Sequence, residues 1–363
     1  MTAKRRLAII GCGMMGREHM RNIALVSDTE LVAIADPYAG SREEARALAL
    51  SLGQHPEFYD TGAALMEEAS PDAVIIASPN HTHFDVLGQV MPHEVAILVE
   101  KPLCTTVAHA REIAQRAAAY PPLFWVGLEY RFMPPVTRFV ERVHGGETGD
   151  VRMLYVREHR FPFLPKVGDW NRFNRNTGGT LVEKCCHFFD LMRHTLQDEP
   201  VRIFASGGQD VNHLDERYDG EVPDILDNAF VTVDFARGAR AVLDLCMFAE
   251  GAEQQEEIYA LGARGRLDVA IPAAEVTWSP RDRSGPLVEK VETPRDALAA
   301  GDHHGATYFQ LRHFLDALDT GGPPQLTAFD GLRSVQMGAA AQQSIASGQP
   351  VALDFTDNGD ELA

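Results

Sequence analysis

A glycine-rich turn near the start of the chain limits the possible folds more than any other part of the sequence. The pattern Gly11-x-Gly13-x-x-Gly16 follows the apolar run Leu7-Ala8-Ile9-Ile10 and precedes a segment rich in helix-forming residues. Gly11 permits a tight turn, Gly13 lets a phosphate approach the backbone, and Gly16 lets the helix pack closely on the sheet. Such glycine patterns also arise by chance, so the flanking strand and helix carry the argument. This context predicts a turn that binds a dinucleotide.

The dinucleotide site has further predicted contacts. Met14 and Met15 open the helix, whose N-terminus would face the pyrophosphate. Asp36 ends the next predicted strand, 20 residues after Gly16, where an acidic residue binds the ribose hydroxyls. A carboxylate there repels the 2′-phosphate of NADP, so NAD is the favoured cofactor, although Arg42 leaves NADP open.

The first third of the chain alternates short apolar runs with helical patterns, which is typical of parallel βαβ units covered on both faces. The predicted strands are Leu7–Ile10, Leu31–Ala35, Glu57–Tyr59, Ala73–Ala77, Ala96–Val99 and Leu123–Gly127. The predicted helices are Arg17–Ser27, Ser41–Leu52, Thr61–Ala69, His83–Met91 and Val107–Ala119. We therefore predict an α/β, doubly wound Rossmann domain over residues 1–127.

The rest of the chain predicts an α+β domain over residues 128–353, followed by a tail at 354–363. Short links at residues 236–239 and 262–265 predict β-hairpins. The predicted strands are Val151–Arg157, Arg202–Ser206, Ala229–Phe235, Arg240–Phe248, Glu257–Leu261, Arg266–Val269 and Leu287–Val291, with helices near 181–196, 305–319 and 329–347. One open, mainly antiparallel sheet accommodates these strands. Because such a sheet must cover its other face, we expect a homodimer or homotetramer that pairs through it.

Composition narrows the range of partners. The 363 residues carry a formal net charge of −19, which disfavours nucleic acid and anionic membranes as partners. No apolar stretch approaches the roughly 20 residues needed to span a bilayer. The apolar run before Gly11 is too short for a signal peptide. The five cysteines are scattered without a C-x-x-C pair, which predicts no metal site and favours a reducing cytoplasm.

Polar residues follow the predicted strand that ends at Ala77. The turn Ser78-Pro79-Asn80 lies at the carboxyl edge of the sheet, where ligands bind in doubly wound folds. We predict cofactor contacts at Ser78, Asn80 and His83. A histidine in such a loop, as His81 also is, is nevertheless more often structural.

A lysine ends another buried strand, in the sequence Val99-Glu100-Lys101-Pro102. It would lie over the sheet edge where the nicotinamide is expected, and Pro102 biases Lys101 towards an extended backbone. Without the dinucleotide motif, a lysine that simply emerges into solvent would be the better interpretation. With that motif, Lys101 is a predicted catalytic residue.

A second polar group lies downstream of Gly178-Gly179. Helical spacing predicts an amphipathic helix with one polar stripe and one apolar stripe: Glu183, His187, Asp190 and His194 against Cys185, Phe189, Met192 and Leu196. A histidine with a carboxylate one turn away can take a hydroxyl proton near neutral pH. Two structural roles stay open for these residues, because the polar stripe can simply face water and Thr180-x-x-Glu183 can be a capping box.

Together these motifs resemble the Gfo/Idh/MocA family, which includes glucose-fructose oxidoreductase and inositol dehydrogenase. The resemblance covers nearly the whole chain and rests on Gly11–Gly16, Ser78-Pro79-Asn80, Glu100-Lys101-Pro102, Tyr130-Arg131-Phe132, Trp170 before Gly178-Gly179, Glu183–His187, and the stretch from Asp330-Gly331 to Pro350-Val351. It implies a Rossmann domain plus an open α/β domain, with Lys101 and His187 at the reacting carbon and Glu100 near the nicotinamide ribose. The family usually has Asp where this chain has Glu183, and small residues where it has Lys184-Cys185-Cys186.

The leading hypothesis is NAD(P)-dependent oxidation of a secondary alcohol or hemiacetal on a sugar or cyclitol. His187 would remove the hydroxyl proton and Lys101 would stabilise the oxyanion. The predicted substrate contacts are Tyr130, Arg131, Trp170 and Asn171, whereas His303 and His304 are expected to be structural. Two alternatives are a non-catalytic dinucleotide-binding regulator and a nicotinamide-dependent glycosidase that leaves no net NADH.

Overall fold

The computed structural model describes residues 4–282 and 284–355, so residues 356–363 of the predicted tail lie outside the described part. The described chain forms two compact units. The first unit comprises residues 4–132, 166–170 and 293–335, and the second unit comprises residues 133–165, 171–282, 284–292 and 336–355. The first unit thus includes three stretches from beyond the predicted boundary at residue 127: residues 128–132, 166–170 and 293–335.

The sheet of the first unit has six parallel strands in the order β3-β2-β1-β4-β5-β6. Their bounds are β1 Arg5–Ile10, β2 Thr29–Ala35, β3 Glu57–Tyr59, β4 Ala73–Ile76, β5 Ala96–Glu100 and β6 Phe124–Gly127. β4 and β5 are buried along their whole length, as expected for parallel strands covered on both faces. The strand order reverses between β1 and β4, and ligands bind at this switch point in doubly wound sheets. The predicted Rossmann architecture is confirmed.

Helices alternate with these strands, and two more come from residues 293–335. They are α1 Met14–Ala24, α2 Ala39–Ser51, α3 Gly62–Glu68, α4 His83–Val90, α5 Val107–Ala118, α10 Arg295–Ala299 and α11 Ala306–Thr320. α1 starts at Met14 rather than at the predicted Arg17, because Gly13 is its N-cap. Trp125 of β6 meets Phe314 of α11 edge-on, with ring centroids 6.1 Å apart. The late segment is therefore part of the core of the first unit.

The second unit contains a nine-stranded sheet in the order β14-β13-β12-β11-β7-β10-β9-β8-β15. Its strands are β7 Val151–His159, β8 Pro200–Gly208, β9 Asn228–Phe235, β10 Arg240–Cys246, β11 Glu256–Gly262, β12 Gly265–Ile271, β13 Glu275–Pro280, β14 Leu287–Lys290 and β15 Val351–Ala352. β7 and β10 pair in parallel, and the other neighbouring strands are antiparallel. Both predicted hairpins and the mainly antiparallel sheet are confirmed, whereas β13 and β15 lie outside the predicted set.

Helices accompany this sheet in the second unit: α6 Pro134–His144, α7 Asn174–Thr177, α8 Thr180–Glu183 and α9 Cys186–Leu196. The long α12 Ala328–Ser347 begins in the first unit, which includes residues up to 335, and ends in the second unit. α6 packs on β12 and β13, and α9 packs on β7. The prediction misses α6, although its buried residues Val136, Phe139, Val140 and Val143 have the spacing of one helix face. No helix of the described chain combines the length and apolarity needed to cross a membrane.

The helix predicted near residues 181–196 differs from the structure in two ways. Lys184 and Cys185 separate α8 from α9, so the helix is interrupted. Glu183, His187 and Asp190 are buried, and so are the residues of the apolar stripe. The idea of a polar stripe that faces water is wrong for Glu183, His187 and Asp190, which protein covers, whereas His194 is partly exposed.

Candidate functional site

The glycine turn after β1 has the predicted close approaches. Gly11 adopts a φ of 94°, and a Cβ there would lie 2.5 Å from the backbone nitrogen of Ser78. A Cβ on Gly16 would lie 2.1 Å from the carbonyl oxygen of Gly11, so α1 runs directly against the turn. At Gly13, in contrast, a Cβ would have no atom of the described chain within 4 Å apart from those of Gly13 itself and its neighbours in sequence. The turn therefore excludes side chains at two glycines and leaves open space at the third.

The N-terminus of α1 faces this open space. α1 has no side-chain cap and no acidic residue in its first turn, so its first N–H groups are available to an anion. At the end of β2, the Asp36 carboxylate accepts hydrogen bonds of 2.9 Å from the backbone N–H groups of Cys12 and Tyr38. These two bonds fix a carboxylate beside the turn, where a ribose would lie. The residues present fit a dinucleotide.

The turn after β4 supplies a second edge of the site. Asn80 is buried, and its Nδ2 has no hydrogen-bond partner among the described residues, so a donor is available there. His83 is fully buried, with Nδ1 2.8 Å from the Pro102 carbonyl oxygen and Nε2 3.0 Å from that of Ser78. Burial lowers the pKa of His83. A neutral imidazole has one N–H group, so His83 donates to one of these two carbonyl oxygens, and its ring lies between the two loops without projecting from them.

The Glu100-Lys101 segment lies at the carboxyl end of β5. Glu100 is buried, and its Oε1 lies 2.7 Å from Nε2 of the fully buried His19 on α1. Its Oε2 accepts the backbone N–H of Lys101 at 3.3 Å. Burial resists ionisation of both partners, but their hydrogen bond outweighs it, raising the pKa of His19 and lowering that of Glu100. A charged pair therefore anchors the backbone from which Lys101 projects.

A buried cluster of titratable residues lies near this pair; we call Glu18, Glu129, His303 and Thr307 the first-unit cluster. Glu18 Oε1 accepts from His303 Nδ1 at 2.9 Å. Thr307 Oγ1 lies 2.6 Å from Glu18 Oε1 and 2.7 Å from Glu129 Oε2. A hydroxyl has one hydrogen, so one of these contacts requires a proton on a carboxyl group. We assign that proton to Glu129, which is fully buried.

The electrostatics of the first-unit cluster agree with this assignment. Burial resists ionisation of Glu18, but the charge and hydrogen bond of His303 outweigh it and lower its pKa to about 2. Burial raises the pKa of Glu129 against the opposing charge of His303. Ligand atoms of Glu18, Glu129 and His303 lie within 4.8 Å of one another, and such a set of donors can also hold a cation. Sequence reasoning missed Glu18 and Glu129, since their partners lie 178 to 289 residues away, and it treated His303 as structural.

Three of the four predicted substrate contacts belong to the first unit. Tyr130 is buried. The Arg131 guanidinium donates to Asp330 Oδ1 and to the Gln325 carbonyl oxygen, both at 3.1 Å. Trp170 meets His81 edge-on at 5.9 Å. The fourth, Asn171, is buried in the second unit and donates to the Leu164 carbonyl oxygen at 3.0 Å. These contacts give Arg131 and Asn171 structural partners within the protein.

The second unit holds the predicted residues Glu183 and His187, both buried at the junction of α8 and α9. The capping box is wrong, because Gly179 is the N-cap of α8 and the Thr180 hydroxyl donates to the Leu226 carbonyl oxygen at 2.6 Å. Thr180 is therefore not a cap, and Glu183 is not explained by helix capping.

A second buried cluster surrounds Lys184; we call Lys184, Glu158, Glu256 and Arg160 the second-unit cluster. Lys184 Nζ lies 2.9 Å from Glu158 Oε1, and Arg160 Nη1 lies 3.2 Å from the same oxygen. Glu158 and Glu256 are direct partners on β7 and β11. Burial and the neighbouring Glu158 raise the pKa of Glu256 to about 7. Burial and Arg160 lower the pKa of Lys184.

Comparison with known proteins identifies the family. Residues 5–128 match the Gfo/Idh/MocA model described as "Oxidoreductase family, NAD-binding Rossmann fold". Residues 140–353 match the companion model, "Oxidoreductase family, C-terminal alpha/beta domain". The two matches cover most of the chain.

Relatives of full length agree with these matches. A myo-inositol 2-dehydrogenase from Thermotoga maritima is 26% identical over 355 residues, covering 96% of this chain and 98% of the relative. A scyllo-inositol 2-dehydrogenase (NAD(+)) from Bacillus subtilis is 26% identical over 353 residues, covering 96% of each. The structure of levoglucosan dehydrogenase in complex with NADH shares the fold, with a TM-score of 0.85, 18% identity and coverage of 97% and 99%. The two family matches, together with the glycine turn, show that the chain belongs to the Gfo/Idh/MocA family of NAD-binding oxidoreductases.

Proposed function

We propose that the protein is an NAD-dependent dehydrogenase that oxidises a secondary alcohol or hemiacetal carbon of a sugar or cyclitol. The observation that carries the proposal is Lys101, which follows β5 at the sheet edge beside the dinucleotide turn and is anchored by the buried Glu100–His19 pair. The relatives named for inositols and levoglucosan support the substrate class.

In this proposal NAD, when bound, supplies the hydride acceptor. His187 takes the substrate hydroxyl proton on a ring nitrogen, and Glu183 stabilises the resulting imidazolium. The Lys101 ammonium donates a hydrogen bond to the substrate oxygen as that oxygen gains negative charge, which favours an alkoxide-like transition state. In the reverse reduction, His187 returns the proton.

The test is a screen of polyols and aldoses with each cofactor, followed by the absorbance of reduced nicotinamide. On a substrate so identified, we expect Lys101→Met to lower kcat by roughly 10²–10³-fold. We expect His187→Gln to lower kcat by roughly 10²–10⁴-fold. Lys290→Met is the matched control, because its side chain is 63% exposed on β14. Full turnover by Lys101→Met would refute the mechanism.

The same screen separates the two alternative functions. A regulator would bind NADH but turn over no member of the panel. A nicotinamide-dependent glycosidase would cleave a glycoside without net NADH. Either result would replace the dehydrogenase proposal.

We infer that the cofactor is NAD rather than NADP. The Asp36 carboxylate is fixed where it would repel a 2′-phosphate. The Arg42 guanidinium is already engaged, 2.7 Å from Asp60 Oδ1 and 2.5 Å from the Asp36 carbonyl oxygen. We expect the Kd for NADPH to exceed that for NADH by about 10-fold or more, and Asp36→Ser to narrow the difference. Equal affinities in the wild type would contradict this inference.

We expect the reaction to take place in the cytoplasm. None of the five cysteines, all of which lie in the described residues, forms a disulfide, and burial raises the pKa of Cys12 and of Cys104 to about 12. Cysteines that form no disulfide fit a reducing compartment.

We also propose that a second copy of the chain covers one face of the nine-stranded sheet. Strand register places six apolar or aromatic residues on this face: Met153, Tyr155, Phe204, Phe230, Val242 and Tyr259. Phe230 is 64% exposed, Met153 60% and Phe204 46%. Tyr155 and Tyr259 stack at 4.4 Å and extend the patch across the sheet. Apolar surface of this kind marks a protein interface.

Light scattering after size-exclusion chromatography tests the interface. We expect a dimer or tetramer for the wild type and a smaller species for Phe230→Glu. Leu50→Glu is the control, because Leu50 on α2 is equally apolar and 65% exposed. A monomeric wild type, or a Phe230→Glu variant of unchanged mass, would refute this interface.

A further inference from the structure

Residues 166–170 carry an additional cofactor contact; we call this segment the clasp. It lies between two elements of the second unit in sequence but belongs to the first unit in space. We propose that Lys166 binds the pyrophosphate of the dinucleotide, and that Trp170 holds the clasp across the switch point between β1 and β4. This inference rests on NAD binding and not on the identity of the substrate.

The two ends of the clasp contact the two sides of the switch point. Lys166 Nζ lies 3.7 Å from Sδ of Met14, the first residue of α1, which follows β1. The Trp170 ring lies 5.9 Å from that of His81, in the short 3₁₀ turn after β4. β1 and β4 are neighbours in the sheet, and dinucleotides bind at the carboxyl ends of such strands. The clasp therefore passes over the place where the pyrophosphate would lie.

The backbone of the clasp turns sharply between these contacts. Gly168 and Asp169 both have positive φ, 67° and 49°, and the Asp169 N–H donates to the Lys166 carbonyl oxygen at 2.9 Å. Two successive residues in the left-handed region are uncommon outside glycine, although aspartate tolerates it. This turn sets the directions of the Lys166 and Trp170 side chains at the two ends of the clasp.

The negative charge of the pyrophosphate explains why a lysine in the clasp would be useful. The chain carries a net charge of −19, so a doubly anionic pyrophosphate needs local cations as well as the N-terminus of α1. Arg17 of α1 is already engaged, because its Nη1 lies 2.9 Å from Glu44 Oε2 and 3.1 Å from the Cys12 carbonyl oxygen. The Lys166 ammonium lies beside the N-terminus of α1, with Nζ 3.7 Å from Sδ of Met14. From that position a charge-assisted hydrogen bond to a phosphate oxygen would add to the contribution of the helix N-terminus.

The test is binding, measured without turnover. NADH affinity is followed by nicotinamide fluorescence, and ADP-ribose and adenosine are measured as competitors. For Lys166→Met we expect NADH and ADP-ribose to bind about 10-fold more weakly, with adenosine unchanged because it lacks the pyrophosphate. Lys166→Arg is expected to retain most of the affinity, and the salt dependence of NADH binding is expected to be weaker in Lys166→Met.

Lys290→Met, far along the chain and exposed, is the matched control for the loss of one cation. Trp170→Leu is expected to weaken NADH binding by a few-fold by loosening the clasp. Wild-type NADH affinity in Lys166→Met would overturn the proposal. A parallel loss of adenosine affinity would also overturn it, because the effect would then not be at the pyrophosphate. Loss of turnover with unchanged NADH and ADP-ribose binding would count against the clasp and leave the dehydrogenase proposal standing.

Discussion

The first-unit cluster and the second-unit cluster both bury two carboxyl groups, but the cations beside those groups differ. Each crowds two carboxyl groups together away from water, and in each one carboxyl has a raised pKa: Glu129 in the first-unit cluster and Glu256 in the second. The cation beside Glu18 is a histidine, whereas the cations beside Glu158 are a lysine and an arginine. In both clusters burial and a neighbouring carboxylate favour the neutral form of one carboxyl group, in spite of the different cations beside it.

The largest effect is expected from removing the lysine side chain from the second-unit cluster. Lys184→Met keeps most of the side-chain volume but leaves the fully buried Glu158 with Arg160 alone. Breaking a buried ion pair in this way is expected to lower the free energy of unfolding by about 3 kcal/mol. Urea unfolding followed by tryptophan fluorescence measures it.

The double variant Lys184→Met/Glu158→Gln is expected to recover at least half of that loss, because it removes the uncompensated charge. Lys290→Met, on the exposed edge strand, is expected to stay within about 0.5 kcal/mol of the wild type. A cost below about 1 kcal/mol for Lys184→Met would show that the buried lysine contributes little.

The next effect distinguishes the two carboxyls of the first-unit cluster. Gly301 packs tightly against the end of the Glu18 side chain, because a Cβ on Gly301 would lie 2.1 Å from Glu18 Cδ. A replacement for Glu18 must therefore have the shape of glutamate, and glutamine has that shape. Glu18→Gln removes an ionised partner of His303 and is expected to cost about 2–3 kcal/mol at pH 7. Glu129→Gln replaces a neutral acid with a neutral amide that can still donate to Thr307, and is expected to cost below about 1 kcal/mol.

The free energy of unfolding is expected to depend on pH in a direction set by the pKa of Glu18. The pKa of Glu18 is lowered from 4.5 to about 2, so its stabilisation is present above pH 4.5 and is lost as the pH falls towards 2. The stability difference between wild type and Glu18→Gln should therefore shrink across that window. Equal costs for Glu18→Gln and Glu129→Gln at neutral pH would contradict the assignment of the proton to Glu129.

The smallest effect concerns Glu256 and has the opposite sign. Its pKa is raised from 4.5 to about 7, so between these values the folded state binds a proton that the unfolded state has lost. Stability should fall as the pH rises through this window, by on the order of 2 kcal/mol. Glu256→Gln should remove that fall, and should be most stabilising relative to wild type at about pH 8. Thermal unfolding at pH 5 and pH 8 measures it, and an unchanged pH profile in the variant would refute it.

The parts of the molecule that follow from local sequence were predictable. The strand, turn and helix around Gly11 are encoded within a short stretch, and so are the hairpins at residues 236–239 and 262–265. The clusters were not predictable, because Glu18, Glu129 and His303 meet only through tertiary folding. Helical periodicity gave a wrong prediction for the segment containing Glu183 and His187 for the same reason. A pattern of polar residues does not reveal whether protein or water covers them.

The return of residues 293–335 to the first unit has a consequence for any exchange of parts between relatives. A gene fragment that ends at residue 127 encodes all six strands of the parallel sheet, and its sequence looks complete. It omits Phe314, which packs on Trp125, and also Glu129 and Thr307, which belong to the cluster around Glu18. A transplanted nucleotide-binding half would therefore need three pieces of the donor gene, with the last taken from near its 3′ end.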